Sequence, residues 1–263
     1  MHIKISNSDR VIKIVALFRN LYNIVENVKL TLSNKRLYIQ GMNNTHVCLV
    51  EVQINDKWFD YFNCEEEEIV VNTEMLFRVM NCWSEEYCIE ITTEDQDNLK
   101  INLSGEGKIT KAYELPLLVL ETDNITIPAL EYDVDITLKT QEFKELVNEL
   151  IIFDKNIHIK CTETSINMSA RGEYGKVSID IKDGDIVEYS VAIDEGGEIN
   201  MQINGDYLSN CCNLNKINDN VDLHFTKDSP IKICYNLDNE EVGNLEDENK
   251  NHIIFYIAPG IEE

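Results

Sequence analysis

DRVIKIVALFRNLYNIV (residues 9–25) and TQEFKELVNELIIF (residues 140–153) are the two stretches that decide the fold. In the first, Val11, Ile14, Val15, Phe18 and Leu21 recur at helical spacing behind an Asp or Ser cap. In the second, Phe143, Leu146, Val147 and Leu150 do the same. Each helix leads into alternating segments, VKLTL, RLYIQGM and HVCLVEVQI after the first, and NIHIKC, SINMSA and KVSIDI after the second. Each half is therefore expected to open helix, strand, strand, strand.

The echo continues outward. IVVNTEMLFRVMNCW (69–83) and EINMQINGDYLSNCC (198–212) both run from a strand-like start into a short amphipathic helix. YCIEITTEDQDNLKINLSG with KITKAYELPLL, and VDLHFTKDSPIKICYNL with NHIIFYIAPGI, each read as a hairpin plus a closing strand. The expected architecture is α+β: two similar domains, 1–120 and 134–263, with antiparallel strands and two helices apiece. Between them, 121–133 (ETDNITIPALEYD) contains Pro and has no period, so it reads as an interdomain connector.

The chain has 263 residues, with 23 Lys and Arg against 48 Asp and Glu, a net charge of −25. Phosphate binding draws on basic surface, so an exterior this acidic excludes ordinary DNA binding over most of it. An apolar content of 43% with 11 Tyr, 8 Phe and 2 Trp supplies a core and excludes a disordered acidic chain. No stretch is apolar for long enough to span a membrane, and the start lacks a secretory pattern. The eight cysteines form no Cys-x-x-Cys pair and are expected as mostly buried free thiols of a reducing compartment.

No phosphate-loop, zinc-protease, nucleophile-elbow or dinucleotide fingerprint occurs. Ser104-Gly105-Glu106-Gly107-Lys108 lacks the first glycine and the closing hydroxyl of a phosphate loop and reads as a hairpin turn. His2, His46, His158, His224 and His252 share no ligand spacing. The run Glu65–Glu68 would point to alternate faces of an extended chain and reads as a solvated loop. No enzyme, cofactor or metal is expected.

The segment Leu37-Tyr38-Ile39-Gln40-Gly41-Met42-Asn43-Asn44-Thr45-His46-Val47-Cys48-Leu49-Val50 resembles the strand and turn of the eukaryotic sliding clamps, the proliferating cell nuclear antigen family. The tail Phe255-Tyr256-Ile257-Ala258-Pro259-Gly260-Ile261-Glu262-Glu263 and the stretch Ser169-Ala170-Arg171-Gly172-Glu173 resemble it too, in order along essentially the whole chain. The resemblance implies a homotrimeric ring around double-stranded DNA, with twelve helices inside and sheets outside. It implies tethering of DNA polymerase and other peptide-motif proteins, and placement on DNA by a separate clamp loader. It implies a nucleus, or a cytoplasmic replication site for a viral owner. Subunits would join by pairing an edge strand within Thr110–Val119 with one within Lys176–Lys182 of a neighbour, Pro116 lying at the strand end or on the unpaired side.

Carried across residue by residue, the partner-peptide pocket would comprise Met42, His46, Val47 and Leu49, with Ile127 and Pro128 from the connector. Pro230, Tyr256, Ala258 and Pro259 complete it. The DNA channel would carry Lys13, Arg19, Arg78, Lys144 and Lys216. Here the chain departs from the family, with Glu145, Asn148, Asp206 and Asn213 where basic residues are usual, so direct duplex affinity is expected to be low. Two other readings remain open: a specialised clamp paralogue, a checkpoint or viral transcription and replication accessory that could sit in a mixed ring, and an acidic decoy for DNA-binding proteins.

Overall fold

A computed structural model of the chain describes residues 1–93, 97–120, 125–128, 130–182, 184, 186–193, 196–238 and 250–260. Its contacts divide into two compact units. The first comprises Met1–Asn44, Val50–Thr126 and Asn236–Ile253; the second comprises Thr45–Leu49, Ile127–Tyr235 and Ile254–Glu263. Each unit therefore borrows a short stretch from the other half of the sequence.

The first half runs β1 (His2–Ile5), α1 (Ser8–Tyr22), β2 (Asn27–Leu32), β3 (Arg36–Met42), β4 (Cys48–Asn55), a 3-10 turn (Asp56–Trp58), β5 (Tyr61–Asn63), β6 (Glu67–Asn72), α2 (Thr73–Met80), β7 (Cys88–Thr92), β8 (Asn98–Ser104) and β9 (Lys111–Pro116). The second half runs β10 (Val134–Lys139), α3 (Thr140–Ile151), β11 (Asn156–Cys161), β12 (Ser165–Gly172), β13 (Gly175–Lys182), β14 (Glu188–Val191), β15 (Ile199–Asn204), α4 (Gly205–Cys211), β16 (Asn220–Phe225), β17 (Ile231–Asn236) and β18 (His252–Ile257). Among the described residues, the two halves repeat one order of strands and helices, and the architecture is α+β.

In the first unit the strands lie in the orders β5-β1-β7-β8-β9 and β4-β3-β2-β6, and in the second in the orders β13-β12-β11-β15 and β14-β10-β16-β17-β18. The assigned strand pairs are antiparallel, for example Ile89↔Leu103 in β7–β8 and Ile159↔Met168 in β11–β12. In the first unit Ile14 and Phe18 of α1 and Leu76 of α2 converge with Ile3, Leu30 and Leu99 around an apolar void of about 20 Å³. With no polar lining, such a void stays dry. Phe143, Val147 and Leu150 of α3 and Leu208 of α4 are buried in the second unit.

Several expectations need correction. Each half opens with a strand, not a helix, because β1 and β10 abut their helices and the alternation of His2–Ile5 spans only four residues. The cap of α1 is neither Asp nor Ser but Asn7, whose side chain accepts from the Arg10 amide at 3.1 Å, while Asp9 faces the helix dipole in the first turn. Leu17 is fully buried and Val15 only half-buried, so the buried stripe is Val11, Ile14, Leu17, Phe18 and Leu21. Of Glu65–Glu68, the last two belong to β6, where Glu67 pairs with the Met1 ammonium at 3.3 Å and Glu68 with Lys29 at 3.1 Å.

Asn72 and Asn204 end β6 and β15 and cap α2 and α4 through the Met75 and Asp206 amides. One residue thus closes a strand and opens a helix in both halves. Ser104–Lys108 forms a turn, with Lys108 N donating to Gly105 O at 3.1 Å and Gly107 at φ 68°, where a side chain would be strained. The eight cysteines are free thiols, six of them buried. Burial pushes the Cys161 and Cys212 thiols up to about 12, so they are inert neutral core groups. The inner part of the stretch Asp238–Asn251, expected as a solvated loop, lies outside the described residues, as do 121–124 and 129 of the connector.

Candidate functional site

The pocket residues carried by the resemblance fall mainly on the second unit. Val47 O accepts from Ala258 N at 2.9 Å, which ties the turn after β3 to the tail after β18. Two further bonds fix these segments: Gly260 N donates to Gln202 O of β15 at 2.7 Å, and the hydroxyls of Thr45 and Tyr207 lie 2.7 Å apart. His46 is exposed and adopts φ 59°, a left-handed conformation that turns the chain sharply into β4. Leu49 is buried, whereas Val47, Tyr256, Ala258 and Pro259 are half-buried and keep apolar surface at the boundary with solvent.

Pro230 is half-buried and closes a turn in which Asp228 also takes a left-handed φ of 57°. Met42 ends β3 on the first unit and is half-buried. The connector residues follow a clamp by Gln40: its Nε2 donates to Ile125 O at 2.9 Å and its Oε1 accepts from Ile125 N at 2.6 Å. This side-chain amide copies a strand pair and fixes the chain just before half-buried Ile127 and exposed Pro128. Gln40, Gln202 and Tyr207 were not singled out in the sequence. Gln40 stood inside the quoted block, but nothing in its spacing distinguishes a polar strand residue that grips a distant segment from one that faces water.

The basic residues of the helices are placed differently from one another. Lys13 is 9% exposed and its Nζ donates to Leu237 O at 2.6 Å, so this ammonium is spent inside the first unit instead of facing solvent. Its position, one turn from the buried stripe, drives the stem into the core and lets the head reach a carbonyl. Arg19 and Arg78 are exposed, Arg78 pairing with Glu74 one helical turn earlier. Lys144 is half-buried on α3, and Lys216 is exposed in the turn after α4. On α3, Glu142, Glu145, Asn148 and Glu149 are exposed, as are Asp206 on α4 and Asn213 just beyond it.

Among the described residues, the two edges that the resemblance pairs have no further strand beside them. β9 is the last strand of its sheet, with Pro116 as its final residue, and β13 is the first of its own. Exposed apolar side chains stand near both: Ile109 before β9 is 81% exposed, Tyr174 directly before β13 is 95% exposed, and Ile152 at the end of α3 is 76% exposed. Among the described residues no His, Cys, Asp and Glu cluster could hold a metal, and no helix is long and apolar enough to cross a membrane.

Family models of the proliferating cell nuclear antigen N-terminal and C-terminal domains match residues 2–125 and 126–246. The chain belongs to the proliferating cell nuclear antigen family. It is 26% identical over 246 residues to proliferating cell nuclear antigen 2 of Drosophila melanogaster, covering 92% of each chain. It is 23% identical to proliferating cell nuclear antigen of Chaetomium thermophilum, covering 91% of each. Among solved structures, a PCNA2–PCNA3 complex from Sulfolobus tokodaii is similar at a TM-score of 0.83 with 22% identity, covering 98% of this chain and 99% of that one. Proliferating cellular nuclear antigen from Entamoeba histolytica has the same TM-score at 19% identity, covering 99% and 98%. As a member of this family the chain is a DNA sliding clamp of replication and repair, a scaffold and not an enzyme.

Proposed function

We propose that this clamp works as a ring of three identical chains, put onto double-stranded DNA by a separate loader, that tethers polymerases and other peptide-bearing enzymes in the nucleus. Two edges of different sheets on one chain, with no further strand beside them among the described residues and exposed apolar residues near each, carry this reading. A heterologous contact of β9 with β13 of the next copy buries both edges, and it avoids an open filament only by closing into a ring. The domains of this ring are 1–120 and 134–263, joined by the connector 121–133.

The peptide site of the proposal is the surface formed by His46, Val47, Leu49, Ile127, Pro128, Pro230, Tyr256, Ala258 and Pro259; Met42, on the first unit, enters through the family resemblance alone. Half-buried apolar groups beside exposed polar ones suit a short helix with aromatic anchors. Such tethering raises effective concentration without any catalysis. Arg19, Arg78, Lys144 and Lys216 are the channel residues of the proposal, and Lys13 is not, because its ammonium is already bonded. A Sulfolobus tokodaii relative was solved as a complex of two clamp proteins, so a mixed ring is the second reading.

Light scattering on the purified chain separates these. The parent is expected at three times 30.4 kDa. The double variant Ile152→Asp, Tyr174→Asp, which changes residues exposed in the single chain, is expected at one times that mass, still folded, with cooperative thermal unfolding that no longer depends on protein concentration. A parent that stays monomeric at micromolar concentration removes the homotrimer.

A further inference from the structure

Away from these surfaces, the first unit holds a polar cleft of about 800 Å³. Arg10 of α1, Lys35 and Arg36 at the β2–β3 turn and Lys57 of the 3-10 turn line it, with Asp56 and Asp238 as its only carboxylates among the described lining residues. Four of the chain's 23 basic residues thus converge on one hollow of a molecule bearing 48 acidic ones. Among the described residues, Lys35, Arg36 and Lys57 have no ion-pair partner, and Arg10 has Asp60 at 3.8 Å. Both lining carboxylates are engaged locally, Asp56 Oδ1 by the Lys57 amide at 2.9 Å and Asp238 Oδ2 by Asn251 Nδ2 at 2.8 Å.

The guanidiniums are held in place. Arg36 lies over the Tyr38 ring at 5.7 Å and donates to Gln53 Oε1 at 2.8 Å, and Arg10 lies over the ring of buried Trp58 at 5.6 Å. A ring against one face of each guanidinium, with one Arg36 N–H on Gln53 and Arg10 3.8 Å from Asp60, leaves the remaining N–H groups for an anion. Four cations against two carboxylates leave the described lining net positive, and the hollow focuses that field, so the site attracts a ligand that brings negative charge. Planar forks beside mobile ammoniums match phosphate oxygens. Lys35, Arg36 and Lys57 are exposed, so the cleft is open enough for a chain to run along it.

We propose that this cleft binds the sugar–phosphate backbone of a single nucleic-acid strand, with Lys35, Arg36 and Lys57 contacting successive phosphates and Arg10 closing one end. The choice of nucleic acid over other polyanions rests on the clamp reading; the anion site itself does not. It also supplies phosphate contacts that the exposed acids of α3 cannot.

Fluorescence anisotropy with a labelled single-stranded DNA of about 20 nucleotides, in about 50 to about 200 mM salt, tests it on the full chain. A short linear strand needs no closed ring, so failure of the ring leaves this measurement intact. The parent is expected to bind with a falling log K against log salt. Lys35→Gln with Lys57→Gln is expected to bind about tenfold more weakly at low salt and to flatten the slope by about 1.4, two contacts at about 0.7 each for a single strand. Lys4→Gln with Lys155→Gln removes the same charge from exposed positions elsewhere and is expected to leave the slope unchanged. No binding by the parent, an unchanged slope in the cleft variant, or equal displacement by a glutamate peptide of the same charge overturns the proposal.

Discussion

Tyr256 sits in β18 with its side chain half-buried, two residues before the Ala258 amide that holds the turn after β3. An aromatic group at such a boundary is the kind of anchor on which peptide interfaces concentrate their energy. Tyr256→Ala is expected to weaken binding of a polymerase-derived peptide by about 2 kcal/mol, roughly thirtyfold, while the ladder of β18 keeps the fold. Isothermal titration beside a melting curve checks both halves, and unchanged affinity removes Tyr256 from the site. Asp222 poses a different problem: it is 4% exposed, and burial raises its carboxyl above the usual range despite a 2.7 Å bond from Thr137. A raised folded value means that the native state is favoured while the group is protonated and loses that advantage as pH rises. Asp222→Asn, which keeps an acceptor for Thr137, is therefore expected to melt higher than the parent near neutral pH. The difference is expected to vanish below about pH 4, the ordinary value for aspartate. Equal melting at both pH values contradicts it. None of this shows in the sequence, where Asp222 is one acid among 48.

Helices and hairpins were legible where periodicity was long. The apolar spacing of residues 9–25 and 140–153 marked α1 and α3 to within three residues at each end. The strand-to-helix starts at 69 and 198 marked β6–α2 and β15–α4. Most of what escaped was short: β1, β5 and β14 have four residues or fewer, too few for alternation to outweigh chance, while six-residue β10 runs straight into α3 with no break to set it apart. Asn7, Asn72 and Asn204 are capping residues whose signal was present but was spread over Asp and Ser neighbours at the first helix. The site was legible only in part. The apolar members stand in recognisable blocks, but the bonds that hold them, Gln40 to Ile125 and Gln202 to Gly260, join residues 85 and 58 apart and carry no local pattern. Lys13 shows the converse error: its type suggested a DNA contact, while its depth in α1 sends the ammonium to Leu237.

For the molecule as a whole, a charge of −25 and membership of a DNA clamp family call for a hold on duplex DNA that does not depend on attraction over the whole surface. Exposed glutamates on α3 and the pairing of Arg78 with Glu74 leave the helices few free cations. Each phosphate contact that is missing removes its share of the affinity, and about 0.9 from the salt slope on a duplex, so attraction to the helices alone would hold DNA weakly at any salt. Encirclement has no such dependence, because a closed ring leaves only by opening or by sliding off an end. The most direct measurement is therefore retention after loading at about 200 mM salt, on nicked circular DNA and on the same DNA cut once. A closed ring predicts protein that stays on the circle and is lost when the circle is cut. Equal retention on circular and cut DNA would contradict it.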